Sequence, residues 1–488
     1  MLNVGTILES VTRFGSKMHR LTKFTLLAGL ILFTTNPASA QTPIPPPGPS
    51  YIVQAGDTLS SIAARFNVLL DELMITNDIT DPNVISAGQH LIIPGLEGVN
   101  GILLTEVVQF GDSFRSLIRR DQVPESLLRK LNHLVSPTEL YAGVSVIVPQ
   151  QEGKPALSAR SNLEAGGTLL ELAVQQDTDP WTIIHINSLD ATWVALPGDV
   201  LYTLSGNTPQ FISGLPSVFA SAEVSPLPIV QGGTAEIRVK LSQPATLTGL
   251  LVDKPLLFFQ NDNNDFVALQ GVHAMLDPGV YPLRLEASFP DGNVQSFEQM
   301  VLVISGNYPE DPVLFVDPAT IDPAVTEPET ELLLSIVSEA TPQRFWNGIF
   351  KTPASAYAES TYFTSRFGNR RTYIAQGTDL KIESFHTGLD FGGGTGLPIT
   401  APAAGKIVFA KYLIVRGNAT IIDHGWGVYS GLWHQSEIDV QVGDTVDQGQ
   451  VIGLVGGTGR VTGAHLHWEL WVNGIQVNPL DWLYKLFP

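Results

Sequence analysis

The sequence predicts a multidomain chain with small α+β modules, a β-sandwich domain and a C-terminal all-β domain built on an antiparallel sheet. Three observations support this fold class. A strand-helix-helix-strand pattern of about 45 residues recurs in the first half of the 488-residue chain. Alternating strands separated by Pro-Gly and Asp-Gly turns fill the middle. The last third is also rich in alternating segments, and it contains clustered histidines.

The composition limits the classes of function. The formal net charge is -20, and the acidity is concentrated in residues 41–345, which contain 13 Lys and Arg against 35 Asp and Glu. Nucleic acid is therefore not an expected partner. The chain contains no cysteine, so a metal site must be built from His, Asp or Glu side chains.

The first 40 residues have the pattern of an export signal. Arg20 and Lys23 precede an apolar run from Phe24 to Phe33, and small residues follow at Ala38-Ser39-Ala40. The alternative is an uncleaved membrane anchor, although about ten apolar residues are few for a span that needs about 20. We expect a signal peptide at 1–40, a Pro-rich linker at 41–50, and a secreted mature chain without stable membrane insertion.

Residues 51–95 form the clearest copy of the repeated pattern. A strand from Tyr51 leads to a turn at Gly56, Thr58 is placed to cap a helix from Leu59 to Phe66, and a second helix and a returning strand follow. The motifs YIVQAGDTLSSIAARF and AGQHLIIP resemble the LysM module. The resemblance implies binding to glycans that contain N-acetylglucosamine.

Two weaker copies follow, one LysM-like at 101–150 and one degenerate at 160–205. Asn132 and Asn187 occupy the position that Asn77 has in the first copy. The alternative interpretation is that these two copies keep only the fold and serve as spacers.

Residues 210–305 predict a β-sandwich domain. The segment Ala235–Leu241 alternates strictly between apolar and polar residues, and similar segments lie near 247–252, 280–287 and 297–304.

Residues 306–344 are rich in Pro, Asp, Glu and Thr and predict a linker, with a short helix near Thr330–Ser338.

Five of the ten histidines lie between His386 and His467. His386 and Asp390 are four residues apart, and His465 and His467 are two apart. Side chains at these spacings share one face of a strand. Two histidines and one carboxylate are a common ligand set for catalytic zinc, and His434 lies between the two pairs in the sequence.

Nearly all of residues 345–488 resembles the lysostaphin/LytM zinc metallopeptidase domain. The matching segments are TSRFGNR, FHTGLDFGGGTGLPITAPAAGKIVFA, IIDHGWGVYSGLWHQS and VGDTVDQGQVIGLVGGTGRVTGAHLHWEL. The resemblance implies a Zn2+ ion bound by His386, Asp390 and His467. It also implies that His434 and His465 flank the reacting water, where they orient or deprotonate it and stabilise the tetrahedral intermediate.

Other residues near these motifs have less defined roles. His424 is expected to belong to a turn between strands, and Glu469 is expected to support His467 rather than act as a base. Arg366, Arg370 and Arg371 either contact substrate carboxylates or belong to a solvated loop.

The sequence therefore predicts an exported zinc metalloendopeptidase that hydrolyses peptide bonds in peptidoglycan stem peptides or cross-bridges and is anchored to wall glycan by LysM modules. One alternative is a non-catalytic wall-binding regulator of other wall hydrolases. Another is a peptidase that acts on a protein outside the wall. The complete set of five candidate residues favours an active enzyme over the regulator.

Overall fold

The computed structural model describes residues 48–96, 99–136, 139–150, 157, 159–163, 166–197, 199–203, 215–216, 218–261, 263–355 and 363–488, all within one compact unit. The expected signal peptide and most of the expected linker at 41–50 lie outside these residues. Among the helices of the described residues, none is long and apolar enough to cross a membrane. The predicted fold class is confirmed, because strands dominate and the few helices lie mainly in the front modules.

Each of the three front modules has a strand, two helices and a returning strand. The first contains β1 (Ser50–Ile52), α1 (Leu59–Phe66), α2 (Leu70–Thr76) and β2 (His90–Ile92). The second contains β3 (Ile102–Val107), α3 (Phe114–Arg120), α4 (Glu125–Asn132) and β4 (Ser145–Pro149). The third contains β5 (Ala159–Asn162), α5 (Leu169–Gln175), α6 (Pro180–Ile186) and β6 (Val200–Thr203). The expected cap at Thr58 is confirmed, since its side chain accepts a hydrogen bond from the Ser61 amide.

One asparagine per module joins the second helix to the returning strand. The side-chain amide of Asn187 donates to the carbonyls of Ile183 and Tyr202 at 2.8 Å each, and its oxygen accepts from the Tyr202 amide at 2.7 Å. Asn77 and Asn132 make the same three bonds at the same sequence separations. These asparagines therefore satisfy buried backbone groups and stabilise the fold of the module.

The first two modules share one sheet, because β1 pairs with both β2 and β3 in the order β2-β1-β3-β4. Arg119 of the second module bonds to the third module. This buried guanidinium donates to the Val200 carbonyl at 2.9 Å and pairs with Asp199 at 3.0 Å.

The middle of the chain forms two stacked sheets, as the alternating pattern predicts. Their strands are β7 (Phe219–Ser225), β8 (Ile229–Val230), β9 (Thr234–Leu241), β10 (Thr246–Leu251), β11 (Lys254–Pro255), β12 (Phe258–Gln260), β13 (Phe266–Gly271), β14 (Gly279–Ser288) and β15 (Val294–Ile304). The orders are β11-β10-β14-β15-β8 and β12-β13-β9-β7. Apolar side chains from both sheets share one buried core, which is the pattern of a sandwich.

The second module is bonded to the sandwich through Gln299 on β15. Its side-chain oxygen accepts from the Gly111 amide at 2.7 Å, and its amide donates to the Asp112 carbonyl at 2.9 Å. Backbone bonds of Ala142 with Met300 and Leu302 extend this contact.

Residues 306–344 were expected to be a linker, but they carry regular structure that packs on the last domain. The elements are β16 (Leu314–Val316), a 3-10 turn at Pro318–Thr320 and α7 (Pro323–Val337). The helix begins earlier than expected because Asp322 caps it and Pro323 occupies its first position. Leu333 and Val337 are buried against the C-terminal sheet, and Glu329 on the same helix is also buried, where it pairs with Arg416.

The last domain is an antiparallel sheet of nine strands with a smaller sheet beside it. The elements are β17 (Arg370–Ala375), β18 (Lys381–Phe385), β19 (Gly388–Gly392), β20 (Pro398–Thr400), β21 (Gly405–Leu413), β22 (Gly417–Gly425), β23 (Val428–Ile438), β24 (Thr445–Val446), β25 (Val451–Val455), β26 (His465–Val472), β27 (Ile475–Val477) and α8 (Pro479–Tyr484). The main order is β19-β26-β23-β22-β21-β24, and β16, β17 and β18 form the smaller sheet.

The sandwich contacts the last domain through polar and aromatic side chains. Asn473 donates to Gln270 at 2.6 Å, and the Trp482 indole donates to Thr234 at 3.1 Å. The rings of Phe259 and Trp426 stack with centroids 5.3 Å apart.

Candidate metal centre

The register of two neighbouring strands places the first candidate residues together. Asp390 on β19 and His467 on β26 are direct cross-strand partners. His386 lies just before β19, four residues from Asp390. Leu466, Trp468 and Leu470 on β26 are buried in the hydrophobic core. The alternation of strand side chains therefore directs His465, His467 and Glu469 to the opposite face.

Three donor atoms converge at this point. His467 Nδ1 lies 2.7 Å from Asp390 Oδ1, His386 Nε2 lies 3.1 Å from the same oxygen, and the two imidazole nitrogens are 3.1 Å apart. All three atoms fall within 4.8 Å of one another. Two imidazole nitrogens and one carboxylate oxygen are a donor set that suits Zn2+, so the residues fit the metal that the sequence predicts.

A polar partner lies on the far side of each of the two rings. The Nδ1–H of His386 donates to the Arg366 carbonyl at 2.8 Å, which leaves Nε2 with a free lone pair. On His467 the arrangement is reversed, since Nε2 lies 3.4 Å from Glu469 Oε1 and Nδ1 faces Asp390. Carboxylate or carbonyl partners of this kind are typical behind histidines that bind metals.

The remaining two histidines lie beside the cluster. The ring centroids of His434 and His465 are 4.9 Å apart, and those of His434 and His467 are 6.0 Å apart. The Nδ1–H groups of His434 and His465 donate to the carbonyls of Thr458 and Gly463 at 2.8 and 2.9 Å. The lone pair of Nε2 therefore stays available on each ring. The Nε2 atom of His465 lies 3.5 Å from Asp390 Oδ1.

The electrostatics favour the protonation states that a metal site needs. Burial raises the pKa of Asp390, but contacts with His386 and His467 outweigh burial and hold that pKa well below its usual range. Burial lowers the pKa of His386, and burial together with the neighbouring histidines lowers the pKa of His434 to about 3. Both imidazoles are therefore neutral at physiological pH, as ligands and hydrogen-bond acceptors must be.

Arg371 contacts the Asp390 carboxylate, and Glu469 contacts the His467 ring. Arg371 Nη2 lies 3.4 Å from Asp390 Oδ2, and Arg371 Nε pairs with Asp311 at 2.9 Å. Glu469 accepts from Thr387 at 2.6 Å and from Gln476 at 2.9 Å, so its position behind His467 is fixed. Sequence reasoning singled out Arg371 and Glu469 but missed Asp311, because nothing near 311 in the sequence indicates a contact with residue 371.

The candidate residues line a cavity of about 890 Å³. Its other walls come from α7, β16, β17, β18 and the loop before β26. Arg371 lines the cavity, whereas Arg366 and Arg370 are exposed and are not among its lining residues. The three arginines grouped together in the sequence are therefore separated by the structure.

His424 lies apart from this cluster and is fully buried near the end of β22. Its ring bonds to the Ala404 carbonyl and to Ser430 Oγ, both at 2.8 Å. The turn follows at Trp426 and Gly427, so His424 belongs to the strand and not to the turn that the sequence predicts.

Comparisons with known proteins agree with this geometry. The family model described as peptidase family M23 matches residues 384–479, and the LysM domain model matches 51–94 and 107–149. Peptidoglycan DD-endopeptidase ShyC of Vibrio cholerae is 40% identical over 24% of this chain and 26% of its own length. DD-carboxypeptidase/endopeptidase Mpg of Neisseria meningitidis is 41% identical over 25% of this chain and 27% of its own length.

The matches to these two curated relatives span only about a quarter of their length. Among solved structures, the catalytic domain of lysostaphin from Staphylococcus simulans is 34% identical, with 21% of this chain and 80% of that chain covered and a TM-score of 0.20. The two sequence models account for the first two front modules and for the strands that bring His386, Asp390, His434, His465 and His467 together. The chain therefore carries a peptidase family M23 domain behind two LysM domains.

Proposed function

We propose that this chain is an exported zinc metalloendopeptidase that hydrolyses peptide bonds in peptidoglycan stem peptides or cross-bridges and is anchored to wall glycan by its LysM domains. The observation that carries the proposal is the convergence of five side chains in one cavity of an M23 domain. The named activities of the two curated relatives support the choice of substrate.

His386, Asp390 and His467 are the residues we assign to the metal. Their donor atoms already cluster within 4.8 Å, and the bond from His386 Nδ1 to the Arg366 carbonyl leaves the Nε2 lone pair of that ring facing the cluster. A bound zinc ion lowers the pKa of a water molecule and polarises the scissile carbonyl. Burial lowers the pKa of His467, but Asp390 and Glu469 outweigh burial and raise it, so protons compete with the metal for this ring.

His434 and His465 are the residues we assign to the reacting groups. Each presents Nε2 with its Nδ1–H bonded to a backbone carbonyl, so each neutral ring can accept a hydrogen bond from water at that atom. After it takes up a proton, the same atom can donate to the developing oxyanion or to the leaving amine. The pair therefore supplies both proton acceptance and charge stabilisation.

Incubation of the purified chain from residue 41 with zinc and insoluble peptidoglycan tests the proposed reaction. We expect new amino termini to accumulate, and we expect His386→Ala to abolish them because one metal ligand is lost. His185→Ala is the matched control, since His185 is exposed on α6 of the third module. Full activity of His386→Ala would refute the metal assignment, and the absence of new termini with the unsubstituted chain would refute the proposed reaction.

Glycan anchoring is tested separately with the His386→Ala chain, which is expected to leave the wall polymer intact. We expect it to sediment with insoluble peptidoglycan and to be released by soluble N-acetylglucosamine oligomers. Anchoring raises the local concentration of scissile bonds, so modest affinity suffices. A chain that stays in the supernatant would contradict anchoring and leave the peptidase proposal intact.

A further inference from the structure

Three arginines line the cavity that contains the candidate metal ligands, and two of them are paired with carboxylates. Arg371 contacts Asp311 and Asp390. Arg416 pairs with Glu329 of α7 at 2.9 Å. These two guanidinium groups are therefore neutralised within the fold.

The third, Arg460, has a different environment. It lies on the loop before β26, where its Nη1 donates to the Thr320 carbonyl at 3.1 Å and its guanidinium carbon lies 4.4 Å from the centre of the Tyr373 ring. Among the described residues, no carboxylate oxygen lies within 4.0 Å of its nitrogens. Glu329, whose charge acts on Arg460, is already bonded to Arg416 and to the Val415 amide.

A partly buried guanidinium without a counterion is unfavourable in the free protein. Burial lowers the pKa of Arg460, and the nearby Arg416 and Arg371 act in the same direction. The contacts with Thr320 and Tyr373 nevertheless fix the group in the cavity wall. The N–H donors of a guanidinium group fixed in this way can bind a carboxylate that comes from outside the chain.

We propose that Arg460 binds a carboxylate of the stem peptide and so makes the M23 domain selective for acidic peptides over amidated ones. This inference rests on the proposed peptidoglycan endopeptidase function and adds a specificity-determining residue to it. Arg460 is five residues from His465, and residues 461–464 between them also line the cavity. A carboxylate bound there thus lies along the same wall as the reacting histidines.

The test compares two substrates with the zinc-loaded full chain. One is a cross-linked stem-peptide dimer with free carboxylates, and the other is the same dimer with those carboxylates converted to primary amides. One hydrogen-bonded charge pair corresponds to about a 10- to 100-fold effect on kcat/KM. We expect the unsubstituted chain to prefer the free-carboxylate dimer by that factor.

Substitution of Arg460 should remove the preference and spare the reaction. We expect Arg460→Gln to cleave both dimers at the rate that the unsubstituted chain shows with the amidated dimer, and Arg460→Lys to recover part of the preference. Arg370→Gln is the matched control, because Arg370 is exposed and outside the cavity lining. It should keep the full preference.

The outcomes separate the two proposals. If the unsubstituted chain cleaves neither dimer, the proposed function fails. If it cleaves both equally, or if Arg460→Gln keeps the preference, the carboxylate anchor is wrong and the endopeptidase proposal stands. If Arg460→Gln loses activity toward both dimers by the same factor, Arg460 has only a structural role and the anchor is again refuted.

Discussion

The Nδ1 atom of His467 lies 2.7 Å from the Oδ1 atom of Asp390, although the two residues are 77 positions apart in the sequence. The antiparallel pairing of β19 with β26 produces this contact, because the two residues are direct partners in the register. A slip of one residue would turn one side chain to the opposite face of the sheet. The integrity of this strand pair therefore determines whether a metal can bind.

Asp390→Asn should weaken zinc binding by more than the 10- to 100-fold that is typical when only an outer partner of a ligand is lost. The amide keeps the shape of the side chain but removes the negative charge beside two imidazoles. Zinc content after dialysis against a buffered zinc solution measures the effect. Asp439→Asn, at an exposed position beyond β23, is the control and should retain the metal. Equal zinc content in both variants would contradict the assignment of Asp390.

Glu469→Gln should lower zinc affinity by about 10- to 100-fold while the domain stays folded, because Glu469 is the partner behind His467. Burial would raise the pKa of Glu469, but Arg416 and His467 lower it, so this residue is a carboxylate in the native protein. Competition with a chelator of known affinity gives the measurement. Glu437→Gln is the matched control on an exposed position of β23. Unchanged affinity of Glu469→Gln would mean that this carboxylate does not support the ligand.

His424 should make the stability of the last domain sensitive to mild acid. Burial lowers its pKa from 6.5 to about 4, so the unfolded chain binds a proton there that the folded chain excludes. The stabilisation is complete above pH 6.5 and is lost as the pH falls toward 4, by about 3 kcal/mol in total.

Urea unfolding followed by tryptophan fluorescence measures this effect, because most tryptophans lie in the last domain. His424→Gln removes the titrating group. The free energy of unfolding of the unsubstituted chain should therefore fall more steeply between pH 7 and 4.5 than that of the variant. Parallel curves for the two proteins would show that His424 does not resist protonation.

Three consecutive leucines on α7 test whether this helix belongs to the last domain. Leu333 is 1% exposed and packs in a cluster with Phe409 and Trp433, whereas Leu332 is 42% exposed. Leu333→Ala should cost about 2 to 5 kcal/mol of unfolding free energy. Leu332→Ala should stay within about 0.5 kcal/mol of the unsubstituted chain. Equal effects would mean that the helix is not packed as described.

Local spacings singled out four of the candidate residues, and the resemblance to the lysostaphin/LytM domain supplied their expected roles and added His434. The spacings of His386 from Asp390 and of His465 from His467 reflect strand geometry, which acts over a few residues. The alternation of Ala235–Leu241 likewise predicted a half-buried strand, and the strand is found at Thr234–Leu241. In both places the periodic pattern and the tertiary contacts agree.

Contacts between distant segments were not predictable from the same patterns. Residues 306–344 have a composition typical of a linker, yet Glu329 is buried because Arg416, 87 residues later, neutralises it. Asp311 similarly reaches Arg371 across 60 residues. From the sequence alone, a charged residue is expected to face solvent. Only the position of an oppositely charged partner in the folded chain shows that the residue is buried instead.

The bond from Gln299 to the second module bears on which peptide bonds the proposed enzyme can reach. The first module shares a sheet with the second, the second is bonded to the sandwich, and the sandwich contacts the M23 domain through Asn473 and Trp482. If the first module binds glycan as proposed, these packed contacts, rather than a flexible linker, set the separation between that glycan and the candidate metal centre. The proposed enzyme would then cleave only those peptide bonds that lie at a fixed distance from the glycan strand to which it is bound.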